Sequence, residues 1–103
     1  MVRVLVLYPA TDNARFDFDY YLNVHLKLVK ERLDPVEMGV DRGITGGARP
    51  SPYLAVTHMI FRSREELAEK FANHGAELTA DKEKFTDIQI ITQVSEIIDN
   101  RSY

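Results

Sequence analysis

Residues 2–8, VRVLVLY, carry apolar side chains in both alternation phases, with Arg3 as the one charged exception. Successive strand residues point to opposite faces, so such a run belongs inside a sheet that is covered on both sides. Residues 53–61, YLAVTHMIF, read the same way, broken only by Thr57 and His58. A chain with two such strands must find cover for two sheet faces, and its helical patterns number two.

The first helix is announced by Asp17 and Asp19, whose carboxylates can accept the free N–H groups of a first turn and oppose the positive end of the helix dipole. Counting 100° per residue from Leu22, the residues Phe18, Leu26, Val29 and Leu33 fall within about 40° and predict a core-facing stripe, with His25 at its edge. Tyr21, Val24 and Leu28 form a second apolar flank. The pattern runs to about Leu33, where Asp34-Pro35 stops it. Pro9 ends the first strand, and residues 10–15 are a polar connection. Residues 36–44 alternate Val36, Met38 and Val40 with Glu37, Gly39 and Asp41, which predicts an edge strand. Gly43, Gly46, Gly47, Pro50 and Pro52 then mark residues 42–52 as a mobile flap or dimer-contacting loop.

Ser63 followed by Glu66 has capping-box spacing, and Leu67, Ala68, Phe71 and Ala72 predict a second helix that ends near His74-Gly75. Residues 77–84 are polar and charged, room for one further helical turn. A last strand is expected from Ile88 to about Ile98, with either Ile88, Ile90 and Val94 or Gln89, Ile91, Gln93 and Ile97 facing away from the helices. The order β-α-β-β-α-β predicts an α+β, ferredoxin-like domain over residues 1–103 with a four-stranded antiparallel sheet. Two helices cover one face of it. The other face, also apolar, is expected to meet a second copy, giving a homodimer of the dimeric α+β barrel kind.

Composition narrows the function. The chain has 13 Lys and Arg against 16 Asp and Glu, in no like-charged block, which argues against a nucleic-acid or anionic-membrane partner. With no Cys, disulfides, thiolate catalysis and iron–sulfur sites drop out. No basic leader or transmembrane-length span opens the chain, which is the pattern of a cytoplasmic protein. His25, His58 and His74 lack metal-ligand spacing, and Gly46-Gly47 neither follows a strand nor opens a helix, so neither a metal nor a nucleotide cofactor is expected. His25 is the leading functional candidate, since an imidazole beside a core stripe can be held half-buried with a pKa tuned near neutrality. The plain alternative is a core-edge histidine satisfied by a backbone carbonyl. His74, at the expected end of helix two, suits the helix dipole and reads as structural.

The run Tyr8-Pro9, then Phe16-Asp17-x-Asp19-Tyr20-Tyr21-x-x-x-His25-x-x-Leu28, resembles the EthD family, named for a protein of ethyl tert-butyl ether degradation. Pro52-Tyr53, Ala55-Val56-x-His58-Met59-x-Phe61-x-Ser63, His74-Gly75 and Phe85-Thr86-Asp87-Ile88-Gln89 resemble its remaining blocks, so the likeness spans nearly the whole chain. The resemblance implies a dimeric ferredoxin-like protein whose wider relatives include muconolactone isomerases, polyketide cyclases or dehydratases, and cofactor-free monooxygenases. The last group tends to use a Trp, which this chain lacks. Carried over by residue, the likeness implies His25, Tyr21 and His58 as catalytic candidates and Tyr8, Asp17, Phe61, Phe85 and Asp87 as substrate-binding ones. The expected function is acid/base chemistry at His25 on a small apolar or carbonyl-bearing molecule. The alternatives are a non-catalytic ligand-binding dimer and a haem-binding protein with His25 or His58 as axial ligand.

Overall fold

The computed structural model of the chain describes residues 1–101. Strand β1 (Val2–Pro9) and strand β3 (Tyr53–Phe61) pair along nearly their whole length, Val2 opposite Phe61 and Tyr8 opposite Ala55. Strands β2 (Glu37–Arg42) and β4 (Ile91–Glu96) add to the outside, giving the order β2-β3-β1-β4 with every neighbour antiparallel. This is the ferredoxin-like arrangement, with the two doubly apolar strands central and the alternating one at an edge, as their patterns predict.

The register assigns the faces. Val4 lies opposite Met59 on one side and Val94 on the other, and these residues point toward the helices. Val2, Val4, Val29, Leu33, Met59, Phe61, Leu67 and Leu78 form one buried cluster there. Leu5, Leu7, Val56, His58 and Ile91 belong to the opposite face, against which no helix packs among the described residues. Of the two phases left open for the last strand, Ile91 and Gln93 therefore face away from the helices.

Helix α1 (residues 18–33) opens as expected: the Asp17 carboxylate accepts from the Tyr20 N–H at 3.1 Å. It closes at Asp34, in the left-handed conformation with φ 44°, immediately before Pro35. Its buried face differs from the expected stripe. Tyr21 and His25 are buried with Val29 and Leu33, whereas Leu22 is 45% exposed. The cause is a π turn over Tyr21–His25, in which the Leu26 N–H reaches back five residues to the Tyr21 carbonyl. One extra residue in that turn shifts the preceding register, so Tyr21 takes the place that an uninterrupted α-helix would give Leu22.

Helix α2 (Arg64–Lys82) starts at Ser63, whose Oγ accepts from the Glu66 N–H at 3.0 Å. It does not end near His74-Gly75 but runs through both for seven more residues. A glycine inside a helix costs about 1 kcal/mol relative to alanine, which burial of Leu78 beyond it outweighs, while the buried Asp81 is compensated by its bonds to His25 and Tyr20. The last strand is likewise shorter than expected. Residues 85–88 are held instead by the segment before α1: the Asp17 N–H bonds to the Phe85 carbonyl, Thr86 Oγ1 donates to the Arg15 carbonyl, and the Arg15 N–H bonds to Asp87. The Arg15 guanidinium donates to the carbonyls of Glu83 and Lys84, closing the end of α2. The loop between β2 and β3 is tied at its base, where Ser51 Oγ accepts from the Ile44 N–H, while Gly46 and Gly47 take positive φ at its tip.

Candidate functional site

The π turn and the prolonged α2 bring His25 against Asp81. His25 Nδ1 lies 2.9 Å from Asp81 Oδ2, and the two side chains are only 8% and 9% exposed. The other carboxylate oxygen, Oδ1, accepts from the Tyr20 hydroxyl at 2.7 Å, with Lys84 Nζ 3.6 Å away. Both oxygens are thereby committed, and the ring of His25 is fixed in orientation. An ionised carboxylate accepts only, so the neutral imidazole carries its proton on Nδ1 and presents a lone pair at Nε2. Nε2 makes no hydrogen bond among the described residues, where no fully buried side-chain nitrogen or oxygen lacks a partner; it therefore reaches accessible space.

Aromatic rings form the bed beneath the pair. The Phe85 ring centroid stands 4.6 Å from the imidazole, tilted by 51°, and Tyr21 stacks at 6.2 Å and 20°. Tyr8 and Phe16 complete the cluster around Phe85. The Tyr21 hydroxyl is hydrogen-bonded to Thr57 Oγ1 on β3. Burial pushes the Tyr21 phenol up to about 12, against a lesser opposing pull from the Thr57 bond, and burial raises Tyr8 further still. Both remain phenols at neutral pH. Burial also lowers the His25 pKa below 6.5, with the Asp81 hydrogen bond and charge partly opposing it. For Asp81 burial acts to raise the pKa, but the bonds from Tyr20 and His25 and the charges of His25 and Lys84 together bring it below the ordinary carboxylate value. Near pH 7 the pair is a neutral imidazole held by an ionised carboxylate, which is the protonation state of a general base.

Two clefts flank α1. One, of about 370 Å³, lies between α1 and β2 and is lined by Leu22, Leu26, Lys27, Pro35, Met38 and Val40 among others; His25 is not part of its wall. The second, of about 360 Å³, lies between the two helices, the sheet and the segment before β4. Neither His25 nor Asp81 is part of its wall, but it begins close to the pair, since Val29 follows His25 by four residues and Leu78 and Lys82 flank Asp81. Its floor is Val6 and Met59.

The predicted site residues separate into groups. His25, Tyr21, Tyr8 and Phe85 come together as described. Asp17 caps α1, and Asp87 holds the Arg15 backbone, both at structural posts. Phe61 is fully buried in the other cluster, with Val2 and Leu67. His58 lies on the open face of the sheet, its side chain 43% exposed, with Nε2 3.6 Å from Asp41 and its ring covering Gly39. The structure does not bring it to His25. Asp81, Tyr20 and Thr57 escape the sequence reading. A signal for Asp81 was present: positions 67, 71, 74, 78 and 81 follow the alternating 4-3 spacing of one helix face, which sets a carboxylate at a core position. Among the described residues no group of three or more His, Cys, Asp or Glu side chains could hold a metal ion.

Residues 9–89 match the family model for the EthD domain. Among solved structures, an EthD-like protein from Ralstonia eutropha superposes with a TM-score of 0.89 at 36% identity, over 98% of this chain and 95% of that one. An ethyl tert-butyl ether degradation (EthD) family protein from Bacillus halodurans follows at 0.72 and 24%, over 93% and 97%. A dimeric protein of ferredoxin-like fold and unknown function from Bacteroides fragilis gives 0.59 at 12%, over 92% and 94%, a likeness of fold alone. Among curated proteins none matches. The family match over most of the chain and the Ralstonia likeness agree with the residue blocks around His25, and the chain belongs to the EthD family.

Proposed function

We propose that this protein transfers protons on a small apolar or carbonyl-bearing molecule in the cytoplasm, with His25 as the acid/base group and with two copies joined through their open sheet faces. The observation that carries the reading is the buried His25–Asp81 pair at 2.9 Å, with Nε2 in no hydrogen bond among the described residues and a largely apolar cleft beginning one helical turn away. In that chemistry neutral Nε2 accepts a proton from a carbon next to a carbonyl, and the resulting imidazolium is stabilised by Asp81 through Nδ1–H. Return of the proton to another carbon gives an isomer; loss of a neighbouring leaving group gives an elimination. A positioned imidazole of this kind contributes roughly 10²- to 10⁴-fold. Asp81 also sits in the last turn of α2, where the helix dipole disfavours a carboxylate, a local cost that a positioning role explains.

Deuterium exchange tests this. α-Tetralone, an apolar bicyclic ketone, should exchange its α-protons in D₂O faster with the wild-type protein than in buffer, and His25→Ala should lose the acceleration while still binding the ketone. Exchange at the buffer rate despite saturable binding would favour a non-catalytic binding protein. For the assembly, the support is the apolar side chains Leu5, Leu7, Val56 and Ile91 on a face that no helix covers among the described residues, together with the description of the Bacteroides protein as dimeric. Burying several hundred Å² of apolar surface at roughly 25 cal/mol per Å² gives a gross gain on the order of 10 kcal/mol, against association costs of similar size.

A further inference from the structure

Gly75 stands in the interior of α2, where neither conformation nor packing calls for a glycine. It has no positive φ, and a methyl group built on it would meet one atom, Phe71 Cδ1, at an ordinary 3.6 Å. Alanine would fit and would favour the helix. Yet Gly75 lines the 360 Å³ cleft beside the His25–Asp81 pair, so the missing side chain is space in that cleft. Phe71, one turn earlier, is shared with a second, wholly apolar cleft of about 270 Å³ that it forms with Val4, Leu67 and Val94. The polar part of the first wall is Thr79, Lys82 and Gln89, with one cation and no carboxylate, and Lys82 is in no ion pair among the described residues.

We infer that Gly75 is the specificity-determining residue of this cleft: a flat ring system lies over its backbone beside Phe71, and an oxygen function of the ligand, neutral or anionic, is met by Lys82 and Gln89. The ligand class is an oxygen-bearing apolar ring compound, a phenol, cyclic ketone or enolate, and ring systems larger than two rings extend past Phe71 toward Val94. The inference rests on reading this cleft as the pocket that His25 serves. The sign of the charge follows from the wall, since a cationic ligand would face Lys82 with no carboxylate to offset it.

The test uses naphthol as probe, with binding followed by fluorescence and by backbone amide shifts. Wild-type protein should bind it saturably, with shifts at Gly75, Leu78 and Gln89, and should bind naphthylmethylammonium more weakly. Gly75→Ala should raise Tm by roughly 3–6 °C yet weaken naphthol binding about tenfold, and Gly75→Leu should abolish it. A more stable Gly75→Ala that binds naphthol as the wild type does overturns the inference, as do shifts on the open sheet face or no saturable binding. Failure here with His25-dependent deuterium exchange intact leaves the acid/base reading standing. Gly75-dependent binding without such exchange removes that reading alone.

Discussion

Removing Asp81 should expose how much of this molecule depends on one carboxylate. In Asp81→Ala the Nδ1–H of a ring that is 8% exposed loses its acceptor, and a buried donor left unpaired costs about 1–3 kcal/mol. Against this, taking a negative charge out of the last turn of α2 returns about 0.3–1 kcal/mol through the helix dipole. The net loss is then about 1–2 kcal/mol, a fall in Tm of roughly 5–15 °C for a domain of this size. His25→Ala costs more by itself, because the ring also packs against Phe85 and Tyr21. The informative quantity is the coupling in the double-mutant cycle. A hydrogen bond to an ionised group contributes about 1.5–3 kcal/mol, so the double variant should be more stable than the sum of the single losses by about that amount. Urea unfolding at one fixed protein concentration measures it, the concentration being held because association adds its own term. Coupling below about 0.5 kcal/mol would refute the claim that the two side chains form a strong buried pair.

Acidification should act through the same groups. The His25 pKa is lowered on folding, so the unfolded chain binds the extra proton and stability falls as pH drops below 6.5 toward the folded-state value; His25→Asn should flatten that part of the curve. Asp81, also lowered on folding, adds a second loss below pH 3.8, seen as a smaller acid slope in Asp81→Asn. Sedimentation at micromolar concentration should give twice the 11.8 kDa of one chain, and Ile91→Asp, on the open face, should dissociate the dimer whereas Val94→Asp, on the helix face, should not. A stable, cooperatively unfolding 11.8 kDa species would end the dimer proposal.

Elements whose side chains repeat with a clear period could be read from the sequence. β1 and β3 are apolar in both phases and turn out central, β2 alternates and lies at an edge, and Asp17 and Ser63 cap the helices their positions announce. The site was half legible. His25 stood out at the edge of its helical stripe and Phe85 through the family blocks, but Asp81, which holds the His25 ring, lay in a charged stretch beyond a glycine that reads as a helix end. Local propensity at Gly75 points one way, and tertiary burial of Leu78 the other, with burial the larger effect. Leu22 was assigned inward because a constant 100° step cannot register a π turn, whose single extra residue is fixed by contacts distant in sequence. His58 shares its sequence block with residues near the site, yet strand alternation sends its side chain to the opposite face from Thr57, which bonds Tyr21.

The imidazole nitrogens of His25 offer the most direct measurement of the central claim. Long-range ¹H–¹⁵N correlation spectra recorded from pH 5 to pH 8 report both the tautomer and the titration of that ring. The expected result is a neutral ring protonated on Nδ1 at pH 7, with a midpoint below 6.5 that moves further down in Asp81→Asn, where the favourable charge is gone. A ring protonated on Nε2, or one that titrates above 6.5 and ignores the Asp81 substitution, would contradict a general base oriented by Asp81.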